Sequence, residues 1–202
     1  MSKIAAITSA AAIAAVLGAT AAYTYLRPLP DCGGNSVAGG SAAIGGPFEL
    51  LDGAGRLVTD ADVIDGPTLV YFGYTFCPDV CPFDVARNSI AVDILDEMGH
   101  DVTPLFITVD PERDTVEIVA DYANDMHPKM IALTGSNEQV RDAAQQYRVF
   151  YAKGSGEGDF YLMDHSTFTY LMFPETGLAT YFGRTATPEE MADETACHIQ
   201  NA

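Results

Sequence analysis

Positive charge is scarce in this chain: ten lysines and arginines stand against 28 aspartates and glutamates, for a net charge of −18 over 202 residues. So large an acid excess argues against nucleic acid and against anionic membrane surfaces as partners. It suits a solubilising acidic face, or attraction to a basic patch on another protein. No internal repeat is present, which sets aside solenoids and arrays. Cysteines and histidines number four each. Leu29-Pro30-Asp31-Cys32 lacks the small residues that precede a lipidated cysteine, so no lipoprotein signal is read there. What is abundant is core material: 48% of residues are hydrophobic, with ten Phe and ten Tyr, enough for one packed domain plus an appendage.

The appendage comes first. Ile4 to Leu26 is uncharged and rich in alanine; as a helix it would extend about 34 Å, long enough to cross a bilayer. Lys3 precedes it, and Tyr23, Tyr25 and Arg27 stand where interfacial anchors belong. Ala19-Thr20-Ala21 has the small-x-small pattern of a signal-peptide cleavage site, the rival reading. The apolar run continues past that site, so residues 1–27 are read as a retained single-pass membrane anchor. Residues 28–45 follow as a flexible linker, with Pro28, Pro30 and repeated glycines leaving nothing periodic to pack. Residues 46–202 are expected to form the folded domain.

Within it, Phe48 to Leu51 and Arg56 to Val58 flank Asp52-Gly53-Ala54-Gly55, a hairpin signal. Thr68 to Tyr74 reads as a buried strand, and Phe83 to Met98 as a helix with Val85, Ile90, Val92, Leu95 and Met98 on its apolar side, closed by Gly99. Val102 to Val109 is a second apolar strand; Asp114 or Thr115 caps a helix to about Asp125. Met130 to Leu133 is a short strand, and Ser136 with Gln139 opens a helix to about Tyr147. Lys153 to Asp159 is expected to be a glycine-rich loop. Strands follow at Phe160 to Met163, Thr167 to Phe173 and Leu178 to Phe182, with a turn at Pro174 to Gly177. Thr187, Pro188 and Glu190 start the last helix. Strands alternating with helices, then an antiparallel hairpin and a helix, describe an α/β sheet of mixed direction.

Chemistry concentrates where the first long strand meets its helix, at Cys77-Pro78-Asp79-Val80-Cys81-Pro82. Residues four apart at a helix start lie on one face, and the helix N-terminus favours thiolates. Two thiolates at one spot suit a soft metal ion or a reversible disulfide. A purely structural bridge gains little from so short a loop. Among the histidines, His100, His127 and His198 fall near helix ends and are expected at the surface, whereas His165 lies between two apolar segments with Asp164 and Ser166 beside it. Taken alone, His165 reads as a core histidine bonded to backbone.

Three blocks change that reading. Tyr71 to Pro82, Thr108-Val109-Asp110-Pro111-Glu112-Arg113-Asp114-Thr115 and Asp164-His165-Ser166 together resemble the Sco/SenC family of copper chaperones, from about Gly45 to the C-terminus. The resemblance implies a thioredoxin-like fold with an N-terminal hairpin. It implies a copper ion bound by Cys77, Cys81 and His165, with the strand near Thr167 starting at the same edge as the cysteine turn. It also implies a role in assembling the copper centre of a respiratory cytochrome oxidase. The expected partner is then the oxidase's copper-bearing subunit, with other copper chaperones as further candidates. The expected place is the cell inner membrane, with the domain on the periplasmic side. A metallochaperone is not an enzyme. The alternative is a thiol-disulfide oxidoreductase that reduces the partner's cysteines, although three residues between the cysteines and a histidine facing them favour a metal. A peroxidase is disfavoured by the doubled cysteine. Structural zinc would want a fourth ligand, and none is obvious nearby.

Other residues keep open readings. Asp79 either tunes the thiols or contacts a partner, or is a plain turn residue. Asp110 to Asp114 is read mainly as strand exit and helix cap, with partner contact behind. Met163 shares a strand face with His165; core packing is favoured over a weak axial thioether. Cys32 and Cys197 are read as lone thiols in preference to a second disulfide.

Overall fold

The computed structural model describes residues 13, 15–20, 31–33, 44–158 and 160–202. The chain divides into two units, one from Met1 to Asp31 and one from Cys32 to Gln200. In the first, residues 15–20 are helical. Among the described residues no helix is long and apolar enough to cross a membrane; most of the expected anchor and linker lies outside them.

The second unit begins with a hairpin, β1 (Glu49–Leu51) and β2 (Leu57–Thr59), and a single helical turn, α1 (Asp60–Val63). The chain continues through β3 (Thr68–Gly73), α2 (Val80–Glu97), β4 (Thr103–Thr108), α3 (Val116–Met126), β5 (Ile131–Leu133) and α4 (Asn137–Gln146). It closes with β6 (Tyr151–Glu157), β7 (Phe160–His165), β8 (Thr169–Phe173), β9 (Gly177–Phe182) and α5 (Pro188–Asn201). Five strands form the central sheet in the order β5-β4-β3-β8-β9; β6 and β7 form a ribbon of their own. β3, β4 and β5 are parallel, while β8 runs antiparallel to both β3 and β9.

This is the mixed α/β, thioredoxin-like arrangement that the resemblance implies. Its centre is β3, in which every residue is buried, as expected of a strand covered on both faces. Leu69 and Leu171 pack with Val92 and Leu95 of α2 and Met191 and Ala196 of α5. A second cluster joins Val70, Phe72 and Tyr170 to Val119 of α3, Val140 and Ala143 of α4, and Tyr147.

Local chemistry sets the element ends. The Asp52 carboxylate accepts from the backbone of Ala54 and Arg56, which folds the first hairpin. Thr59, Ser136 and Thr187 each form a reciprocal capping box with the acid or amide three residues on. α2 starts at Val80, earlier than its apolar pattern indicates, so Cys81 and Pro82 lie inside its first turn. Proline is tolerated there because those N–H groups have no helical partner. Val85, Val92 and Leu95 are buried as expected, but Ile90 and Met98 are exposed. Asp84, Asn88 and Ser89 are buried in their place: Asp84 accepts from the Tyr71 hydroxyl at 3.1 Å, and Asn88 accepts from Thr169 at 3.1 Å.

Three expectations are corrected. The stretch from Lys153 is strand rather than loop, since β6 runs to Glu157 and pairs with β7. Its glycines serve a register shift between Lys153 and Gly156: Gly156 sits at φ +134°, where a Cβ would lie 2.0 Å from the Phe160 carbonyl oxygen. His127 is buried, not solvent-facing. Its Nδ1 accepts from the Lys129 backbone at 3.1 Å, which leaves the proton on Nε2, 3.2 Å from the Asp93 carboxylate. Finally, Cys32 and Cys197 are joined by a disulfide that spans 165 residues.

Candidate metal centre

The site grows from the C-terminal ends of β3 and β4, which lie side by side. Val109 donates to the Gly73 carbonyl at 2.7 Å, extending the parallel pairing one step beyond the strands. Glycine lets β3 end here without crowding, because a Cβ at Gly73 would stand 2.9 Å from Tyr71, 3.1 Å from Phe106 and 3.2 Å from the Cys81 sulfur. The chain then turns through Tyr74 to Asp79 into α2.

A buried carboxylate fixes that turn. Asp114 accepts from both the backbone and the hydroxyl of Thr75, and from the Thr108 hydroxyl. Its burial pushes the carboxyl above the ordinary carboxylate value, against the pull of those donors. Asp114 is therefore not the helix cap; Thr115 is, with its hydroxyl accepting from Ile118. Asp110 is likewise buried, paired with Arg113 and accepting from the Tyr161 hydroxyl at 2.7 Å. Asp110 and Asp114 are thus internal scaffold, and of the acids in this block only Glu112 is exposed.

Cys77 is half-buried and Cys81 fully buried, both as free thiols. The Cys81 amide, one of the unpaired donors at the helix start, points at the Cys77 sulfur at 3.4 Å. His165, the last residue of β7, brings Nε2 to 3.2 Å from the Cys81 sulfur. The three ligand atoms all lie within 4.8 Å of one another. His165 Nδ1 is 2.8 Å from the Ser166 carbonyl, which can only accept. The proton therefore belongs on Nδ1, and the Nε2 lone pair is turned toward the sulfurs. Tyr71 and Tyr74 meet the imidazole edge-on, at 6.3 and 5.8 Å between centroids, and hold its plane.

The thiols are unequal. The hydrogen bond from Cys81 pulls Cys77 down to about 3, assisted by the backbone N–H groups of Cys81 and Asp79. That same hydrogen bond, together with burial, pushes Cys81 up. The pair thus keeps one proton, held on the inner sulfur, with the charge on the outer one. Burial also pushes the Tyr74 hydroxyl up to about 12, so both tyrosines stay neutral beside the sulfurs.

Of the open readings, Asp79 is exposed and reaches Cys77 through its backbone. Met163 packs against the core while its backbone hydrogen-bonds the Tyr74 hydroxyl. Sequence reasoning assigned no role to Tyr71, Tyr74 and Arg113, although they fall in the blocks that carry the resemblance, and Tyr161 lay outside those blocks. Period-two alternation along β7 carried the signal for Tyr161, since it shares a face with Met163 and His165.

Fold and ligand set together define a class: a thioredoxin-like domain that presents two cysteines and a histidine at its strand-to-helix turn. A profile of the SCO1/SenC family matches residues 37–200, and the chain belongs to that family. It is similar to Protein SenC of Rhodobacter capsulatus, with 47% identity over 98% of this chain and 91% of that protein. It is also similar to the human mitochondrial SCO1 homolog, with 40% identity over 80% of this chain and 54% of that longer protein. Among solved structures, copper-bound ScoI of Arabidopsis thaliana superposes with a TM-score of 0.76 at 42% identity, covering 79% of this chain and all of that one. Copper-bound ScoI of Bradyrhizobium japonicum does so with a TM-score of 0.69 at 37% identity, covering 76% and 98%.

Proposed function

We propose that this domain carries one copper ion on Cys77, Cys81 and His165 and serves as a metallochaperone in assembling the copper centre of a respiratory cytochrome oxidase. The observation that carries the reading is the convergence of two sulfurs and an imidazole nitrogen within 4.8 Å. Thiolates and imidazole match copper by softness, and relatives at 42% and 37% identity were solved with copper bound. Copper is cargo here, so the protein is a carrier rather than an enzyme. Three protein ligands leave a position open to an acceptor, as handover requires. The half-exposed Cys77 is where a partner's ligand would enter. The proposed acceptor is the oxidase's copper-bearing subunit, and another copper chaperone is the proposed donor.

The domain is further proposed to sit on the periplasmic side of the inner membrane, tethered by residues 1–27. Two observations support this placement. The run from Ile4 to Leu26 is uncharged, and the Cys32–Cys197 bridge belongs to an oxidising compartment. Dithiol exchange would use the same cysteines but gives His165 nothing to do.

The test compares His165→Ala with Cys77→Ala for copper content in the reduced, anaerobic protein and for oxidase assembly in cells. Both variants should stay folded, lose most of their copper and fail in assembly. A His165 variant that assembles oxidase normally while the Cys77 variant fails would move the function to thiol exchange.

A further inference from the structure

Among the described residues the ribbon that carries His165 shares no strand pairing with the central sheet, whereas both cysteines stand on that sheet's own strand-to-helix turn. Apart from the short link from His165 to β8, which pairs with β3, what aligns nitrogen with sulfur is side-chain contact across the gap. On β7 the residues alternate: Phe160, Leu162 and Asp164 are exposed, while Tyr161, Met163 and His165 face inward. At the end of this inner row opposite His165, the Tyr161 hydroxyl donates to Asp110 at 2.7 Å. Arg113 pairs with the same Asp110 carboxylate, donates to the Tyr161 carbonyl at 2.9 Å and lies 3.7 Å from the Tyr161 ring centroid. That guanidinium also lies over Tyr74 and Phe76 of the cysteine loop, at 5.6 and 5.0 Å. Lys153 of β6 adds a second cation against the Tyr161 ring at 3.6 Å. One largely covered guanidinium thus touches the cysteine loop, the chain just past β4 and the backbone of the histidine ribbon.

We infer that Arg113, Asp110 and Tyr161 form a latch that positions His165 over the cysteine pair. They are positioning residues, since none of them offers a ligand atom to the cluster. The inference rests on the copper reading for its consequence but not for its geometry. Arginine suits this position because its planar fork serves a carboxylate, a carbonyl and aromatic rings at once, which a lysine cannot do. With the latch closed, His165 is preorganised; with it loosened, the ribbon can lift and withdraw the imidazole, leaving a two-sulfur site.

The test uses the full chain with Tyr161→Phe, which removes only the hydroxyl, and Arg113→Lys, which keeps the charge beside Asp110 but loses the fork. In the metal-free protein, amides of β6 and β7 should exchange about tenfold faster in each variant, the equivalent of one buried hydrogen bond. Amides of β3 and β4 should be unchanged. Copper(I) affinity, measured by competition with a chelator, should fall about 10–100-fold, as for other residues that orient a ligating histidine. Unchanged ribbon exchange overturns the latch. So does exchange that rises equally in the central sheet, or a looser ribbon with unaltered copper affinity. His165→Ala is the control: if it binds copper like the parent, the copper reading of the site fails, and the exchange data still decide the latch.

Discussion

Removing the Cys32–Cys197 bridge should cost stability without touching the copper site. The two cysteines are 165 residues apart, so reduction releases nearly the whole folded domain from a closed loop. Chain-entropy bookkeeping for a loop of that size gives about 17 cal/mol/K, or about 5 kcal/mol at 25 °C, with residual structure in the unfolded chain drawing the measured value down toward about 2. At about 2–4 °C per kcal/mol for a domain of this size, the melting temperature should fall by about 5–20 °C. The clean perturbation is the double variant Cys32→Ser with Cys197→Ser, which leaves no lone thiol to scramble with Cys77. Urea titration of parent and variant, both oxidised and metal-free, reads the stability; copper(I) competition reads the site. A midpoint shift equivalent to less than about 1 kcal/mol would refute the staple, because it lies below the range for closing so long a loop. A large loss of copper affinity in a variant that remains folded would refute its independence from the site.

Two further outcomes follow from the site itself. Gly73→Ala should cost about 1–3 kcal/mol, the usual penalty for overpacking, and should weaken copper binding, because the new methyl would press on Cys81 at 3.2 Å and on Tyr71 at 2.9 Å; a variant equal to the parent in melt and affinity would contradict this packing. Cys77 is held down to about 3, so its thiolate is retained as pH falls and is lost only near that value. Its alkylation rate in reduced, metal-free protein should then stay nearly flat between about pH 5 and pH 8, where a free cysteine of pKa about 8.5 gains about tenfold per unit. A tenfold rise per unit would mean the thiol is unperturbed.

Much of the fold was legible in the sequence because its signals are local. Capping boxes at Ser136 and Thr187, the Asp52 turn and the uninterrupted apolar run of β3 each report on a few neighbouring residues. Failures came where a distant partner overrides local preference. Lys153 to Glu157 reads as loop by its glycines, yet pairing with β7 makes it strand, and the glycines serve the close approach of Phe160 and Tyr161. His127 reads as surface from its place at a helix end, yet Asp93 of another helix satisfies its buried Nε2. Cys32 and Cys197 carry no sequence signal that they meet.

The same division runs through the site. The spacing of Cys77 and Cys81 at a helix start states their shared face outright, because helix geometry is fixed by sequence separation. His165 stands 84 residues beyond Cys81, and no local rule brings them to 3.2 Å; only the resemblance pointed there. Its placement depends on β7 being held over the cysteine loop by Arg113, Asp110 and Tyr161, residues drawn from two distant stretches. Asp110 and Asp114 looked like a strand exit and a cap because aspartate so commonly serves those roles. Both are buried instead, and what they hold in place is the loop and the ribbon that bear Cys77, Cys81 and His165. On the proposed copper reading, a ligand set split between a sheet-borne turn and a separate ribbon keeps two sulfurs fixed while the third ligand depends on a separable contact. That asymmetry suits a carrier, which must hold its cargo and also give it up.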